Sequence, residues 1–474
     1  MDEATYTTHE TDRMNRSGLQ YYLCPIFSAL IYVSMGYDGQ IRASVIGYAA
    51  SYLPYLWMLL KLRREPEIKL SQSLLLISVG ISSCALMSME PVLSEDVWRY
   101  VWDGFVTSSG VNPYCYPPES SHLDAFSQNN NLDVTRSLIG HSELPTIYPP
   151  LAQFIFSFSS LFTPSSLPIR CLGALALLLC TRLLFRLLQG REVNPSLVVL
   201  FAFNPLVLIE TSVSGHVDIF AIGFVLFALR LAQLGYGYLS ASAVSGAILT
   251  KVIPILIIPF VFQRRWRQWL LCFVLIAAVY SLLSTGDCSP LGSLSTFSGK
   301  WRHNEGIFGV LNWMYETLLS DLEPPALMSS TLAYWLTGTD QINTTGLLAT
   351  VATKFTCLSL IIGAFCWVQP RPWFNEIKVF GLFGCFFLCS PVVHPWYLIW
   401  VLPLLPFLWS ARGLVGSAPL IWWSISVLVA YNARIGLLLN QRWYTPPSLL
   451  WLEYGTLLCL ALLSMYLIRR DRRG

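Results

Sequence analysis

Of the chain's 474 residues, 54% are hydrophobic and only 12% charged, and the mean hydropathy is +0.54. Soluble domains carry about 25% charged residues, so the composition excludes a soluble enzyme and points to an all-α polytopic membrane protein. A net charge of +3 is too small to argue for a nucleic-acid partner.

The N-terminus, MDEATYTTHETDRMNR, is polar and mixed in charge, and the first apolar run reads as an uncleaved anchor. Apolar runs read as spans fall at 19–36, 41–60, 70–90, 168–188, 196–213, 217–233, 268–285, 347–368, 378–391, 395–410, 413–432 and 448–468, of which 378–391 is short. That predicts about twelve crossings with both termini inside. The basic loops mark the cytoplasmic side: Lys61 to Lys69, the Arg182/Arg186/Arg191 region, Arg264 to Arg267, Arg371 with Lys378, and the tail RRDRRG. Tyr148 to Phe162 is too short to cross and reads as an interfacial or re-entrant helix beginning at tandem prolines. Leu239 to Phe262 has cytoplasmic signals on both flanks, so a hairpin of two half-helices is expected, with its tip near Thr250 to Pro254. The chain reads as one membrane domain, 1–474, with large outer loops at 92–167 and 286–346.

The outer face collects the unusual polar residues. SEDVWRYVWDG, Ser94 to Gly104, follows directly on an apolar run, so Glu95 and Asp96 sit where the chain leaves the hydrocarbon. Acids there are costly and tend to be functional. Either is a candidate proton acceptor, and either is also an ordinary solvated acid at the start of a loop. Asp103 lies on the same helical face as Asp96 and reads equally as a cap. Lys251 sits at the hairpin tip, where it serves as a phosphate ligand or snorkels to the interface. KWRHNEG, Lys300 to Gly306, brings Arg302 and His303 either to that phosphate or to a wet loop. His216 and Asp218 of SGHVDIF read as a helix cap or as pocket lining. His394 opens HPWY, whose aromatics suit a sugar or the interfacial belt. Tyr148, with His141 and Glu143 just before it, lies beside the same loop.

No CxxC pair or zinc spacing occurs among the twelve cysteines. Only Cys115 and Cys288 fall in loops assigned to the outer side, and whether they pair is left open by spacing alone. Asn343-Thr344-Thr345 is a formal glycosylation triplet.

In order, SEDVWRYVWDG, GVNPYCYPP, LPTIYPPLAQ, FNPLVLIE, SGHVDIF, LTKVIPILIIP, WRHNEG and SPVVHPWY, across roughly 90–405, resemble bacterial polyprenol-phosphate-hexose glycosyltransferases of the GT-C fold. These are similar to the catalytic subunit of the eukaryotic GPI mannosyltransferase that adds the first mannose. The resemblance implies transfer of a hexose, often mannose, from a polyprenyl-phosphate sugar to a glycan or lipid acceptor. Transfer would occur with inversion, on the periplasmic face of a bacterial inner (plasma) membrane. It assigns the base to Asp96 and the donor phosphate to Lys251, and less directly to Arg302 and His303. From their positions alone, Glu95 is a second catalytic candidate, and Asp103, Tyr148, His216, Asp218 and His394 are candidates for binding substrate or donor. No nucleotide site or other cofactor is implied, and no metal is expected, because Trp98 stands where the eukaryotic pattern has a second acid. The competing class is a lipid-linked sugar flippase, which predicts inverted repeats and midplane polar residues. No internal repeat is visible.

Overall fold

A computed structural model describes residues 3–37, 39–262, 265–283, 288, 293, 296, 301–320 and 344–471. Among them every regular element is a helix, apart from isolated bridge residues at Cys288 and between His303 and Val392. Most of the outer loop 286–346, including Lys300 and Asn343, lies outside the described residues.

Seven helices are long and apolar enough to cross a membrane, or eight if one bent pair counts as a span. About twelve were expected. Three expected spans fall on shorter helices, Gln72–Leu86 (15 residues), Asp218–Gln233 (16) and Asn375–Leu388 (14). At about 1.5 Å per residue these cover less than the roughly 30 Å hydrocarbon core. The two runs at 395–410 and 413–432 lie in a single apolar stretch, Pro395–Asn440, broken at Gly413 by a φ of 57°. Leu270, Phe273, Leu358, Ile362, Leu458 and Leu462 on the long apolar helices are exposed, a surface suited to lipid.

The centre contains irregular helices. Pro195–Ala202 and Pro205–Ser212 meet at 58°. Pro205 has no N–H to continue the first helix, and the Asn204 side chain caps the second by accepting from Leu206 N at 2.9 Å. The Asn204 amide is also held by the Tyr52 hydroxyl and Ser424 Oγ, so the break leaves its polar groups satisfied. The helix Gly237–Thr250 stops where expected, because Lys251 takes extended geometry (φ −152°, ψ 138°) before Ile253–Phe262 resumes.

Two contacts set the edge that carries Glu95 and Asp96. Arg170, 4% exposed, donates to Met89 O (2.8 Å), Leu86 O (3.3 Å) and Ser212 O (2.9 Å). One guanidinium thus binds the carbonyl ends of two helices, whose negative dipole ends favour a cation. Just beyond those ends lie Glu95–Asp96 and the GHVD turn. The second contact joins Asp96–Ser108 to Pro150–Ser160, an 11-residue helix too short to cross. Val97, Tyr100, Val101 and Gly104 form the buried stripe of the first helix. Tyr100 stacks on Phe156 at 4.6 Å. Cys115 and Cys288 form a disulfide, so the pairing left open by spacing is made. Beside it Asn112 Nδ2 donates to Leu283 O at 2.8 Å.

A Cβ at Gly104 would lie 2.3 Å from Phe156 O, whereas a Cβ at Gly363 would meet nothing within 4 Å. Gly104→Val is expected to cost about 1–3 kcal/mol through overpacking. In a detergent melt it should lower Tm by several degrees, and Gly363→Ala should not.

Candidate active site

Asp96 is the first residue of its helix and Glu95 its N-cap. Their environments differ. Glu95 bonds the Arg434 guanidinium and lies tight against Gly140, where a Cβ would overlap its carboxyl. Asp96 keeps 33% of its side chain open, and its near contact is His216 Nδ1 at 3.7 Å. The other acids of this edge also have cations. Asp103 accepts from Arg99 Nε at 3.0 Å and from Gln153 Nε2 at 3.3 Å, while Asp218 accepts from Lys251 Nζ at 2.9 Å and Trp400 Nε1 at 2.6 Å. Of Glu95, Asp96, Asp103 and Asp218, Asp96 is the one without a Lys or Arg partner.

The structure brings together Asp96, His216, Asp218, Lys251, His303 and His394. His216 stacks on Trp396 (3.8 Å, 15°), Trp396 on His394 (4.3 Å, 3°), and His394 lies 4.8 Å from His303. Lys251 sits over the Tyr397 ring at 5.2 Å. Tyr148 lies one layer back, its hydroxyl 3.5 Å from that of Tyr100 and its ring against Phe156. Two candidates point elsewhere. Asp103 belongs to the packing between Asp96–Ser108 and Pro150–Ser160. Arg302 is 44% exposed and forms a bidentate pair with Glu305 at 2.6 and 2.7 Å.

Burial pushes the Asp96 carboxyl up to about 6; Lys251 opposes this, Glu95 and Asp218 add to it, and Arg434 opposes it again. Burial pulls His303 down to about 4. Burial, and then Lys251, holds His216 well below the usual histidine range. These imidazoles are therefore neutral hydrogen-bonding groups at neutral pH, and the positive charge facing the site is Lys251. An ammonium has three donors and Asp218 takes one, so Lys251 can still grip an anion. The rings of Trp396 and Tyr397 give a sugar a stacking wall.

Residue patterns alone did not single out Glu210, Arg434 or Trp400. Glu210 is fully buried, accepts from the Tyr48 hydroxyl at 2.9 Å and from Tyr431, and lies 3.4 Å from His216 Nε2. Its carboxylate inside an apolar run was the available signal. Two surface cavities of about 230 Å³ lie elsewhere, one lined by Arg191, Arg265 and Glu376, the other by Tyr238 and Trp266. Neither includes a residue of the Asp96 cluster.

Residues 24–266 match the family model described as alpha-(1->6)-mannopyranosyltransferase, N-terminal domain. Residues 146–391 match glycosyltransferase family 87. No curated protein matches the chain.

The Lys251–Asp218 pair makes a stability prediction. Lys251→Ala leaves a buried carboxylate uncompensated, at a cost of about 3–5 kcal/mol. The double variant Lys251→Met with Asp218→Asn removes both charges, and its melting temperature should return most of the way to the wild-type value.

Proposed function

Because the chain belongs to the glycosyltransferases that these two models describe, one of them a mannosyltransferase family, we propose that it transfers a hexose, mannose by family, from a polyprenyl-phosphate sugar. The acceptor is a hydroxyl of a glycan or lipid on the non-cytoplasmic face, and the anomeric carbon inverts. The observation that carries this reading is the unpaired carboxylate of Asp96 beside a lysine that keeps donors for a phosphate.

In the proposed reaction the donor's lipid lies among the helices and its phosphate meets Lys251 and the N–H groups of His303 and His394. The acceptor oxygen bonds to the anomeric carbon from the face opposite the phosphate. The bond from that carbon to the phosphate oxygen breaks, and the phosphate leaves with the electron pair. Asp96 takes the acceptor's proton. Charge builds on the leaving phosphate in the transition state, so cation and N–H contacts there accelerate the step. His216 lies between Asp96 (3.7 Å) and Glu210 (3.4 Å), with neither ring nitrogen hydrogen-bonded. Arg302, paired with Glu305, has no part in this step.

The outward orientation is supported by the Cys115–Cys288 disulfide, since disulfides persist in oxidising compartments. The basic loops at the other ends of the helices support it too. In a bacterial inner membrane that orientation corresponds to the periplasmic side.

The test is sugar transfer by purified protein in detergent, from polyprenyl-phosphate-mannose and without nucleotide sugar. Product of inverted configuration is expected, and EDTA should leave the rate unchanged. A flippase gives no product in this assay. The base must be ionised to accept a proton, so kcat/KM should fall about tenfold per pH unit below the Asp96 value of about 6 and level off above it. A rate flat from pH 5 to 8 removes Asp96 as the base.

A further inference from the structure

A buried carboxylate outside the reacting cluster has no role in the scheme above. Glu453 is fully buried within the apolar C-terminal span Pro447–Asp471. It lies in a π-helical turn, Trp451–Gly455, a local irregularity that frequently marks functional sites. A carboxylate in such a span is costly and is retained when something depends on it.

Its contacts lead to the donor side. Asn304 Nδ2 donates to Glu453 Oε2 at 3.0 Å, and Trp423 Nε1 donates to Oε1 at 3.0 Å. The neighbouring Tyr454 hydroxyl donates to Asn304 O at 2.7 Å. Asn304 is 4% exposed and takes a left-handed φ of 51°, a conformation that asparagine tolerates but that needs surrounding contacts to hold it. The residue before it is His303. The His303 backbone is bonded on both sides to the segment leading to HPWY, through His303 N to Pro391 O and Val393 N to His303 O, each 2.9 Å. The strained turn and this bridge together set the His303 ring beside His394 and Trp443. The last span thus reaches across to fix a loop 149 residues earlier in the chain.

We propose that Glu453 is a positioning residue of this site: through Asn304 it holds the turn that presents His303 to the donor phosphate. The inference rests on the reading of His303 as a phosphate contact. Removing the carboxylate frees Asn304, the turn relaxes, and His303 leaves the donor side without disturbing Asp96.

Two readouts test it. In the transfer assay, Glu453→Leu is expected to raise the KM for polyprenyl-phosphate-mannose about tenfold with a much smaller change in kcat, because a donor-binding contact is lost. Glu453→Gln retains an acceptor for Asn304 and should recover most of the loss. Asn304→Gly keeps the left-handed backbone, deletes the amide, and should give the same shift in donor KM even if Glu453→Leu does not fold. The combination of His303→Ala with Asn304→Gly should be no worse than His303→Ala alone. The second readout needs no activity. His303, 8% exposed, should resist modification by diethyl pyrocarbonate in the wild type and become reactive in Asn304→Gly. Unchanged donor KM in these variants, additive losses in the double variant, or a His303 equally protected throughout would overturn the proposal. Absence of any transfer from the lipid donor by the wild type would instead reject the functional reading, and the modification experiment would still decide the positioning role.

Discussion

A charge held at the edge of hydrocarbon must be matched, and of the four acids Glu95, Asp96, Asp103 and Asp218 all but Asp96 have a basic partner. Glu95 has Arg434, Asp103 has Arg99 and Asp218 has Lys251. Asp96 stands among them with an imidazole on its inner side and a third of its surface open. Unpaired and crowded, it holds protons more tightly than an ordinary carboxylate and remains ionised at neutral pH, which are the properties of a useful base. The pairing of Lys251 with Asp218 has the complementary effect. It gives the ammonium a counter-charge while leaving donors for an incoming anion.

The rim that carries these acids depends on helices that end early or break. Arg170 ties the ends of Gln72–Leu86 and Pro205–Ser212 together, and the next turns of chain carry Asp96 and His216. Breaks at Asn204–Pro205 and Lys251 leave backbone and side-chain polarity where a regular helix would bury it. Each break is satisfied locally, by the asparagine cap in one case and by the Asp218 ion pair in the other. The same irregularities make the span count smaller than hydropathy suggests: a helix that stops at 14 to 16 residues carries the right composition without the full length.

Much of the site was legible because lipid makes polarity conspicuous. Acids at the end of an apolar run, a lysine inside one, and histidines at helix starts stand out against a chain that is 54% hydrophobic. Membership of the glycosyltransferases was legible from the order of motifs and is shown by the two family models. Pairing was not legible. Glu95 and Asp96 are adjacent and chemically alike, and what separates them is Arg434, 339 residues away. Asp103 shares a helical face with Asp96, yet Arg99 one turn earlier claims it. The neutrality of His303 follows from burial in a fold whose packing no local pattern reports. Glu210 and Glu453 had a visible anomaly, a carboxylate inside an apolar run, but their partners are distant tyrosines, an asparagine and a tryptophan.

The central claim is that Asp96 alone among the rim acids takes the acceptor's proton. The most direct measurement is the single-turnover rate of Asp96→Asn at saturating lipid donor and acceptor, beside Asp103→Asn as a packing control. Asp96→Asn is expected to lose about 10²–10⁴-fold, the contribution of a general base, with the protein still folded and the control largely active. Turnover of folded Asp96→Asn near the wild-type rate would contradict it.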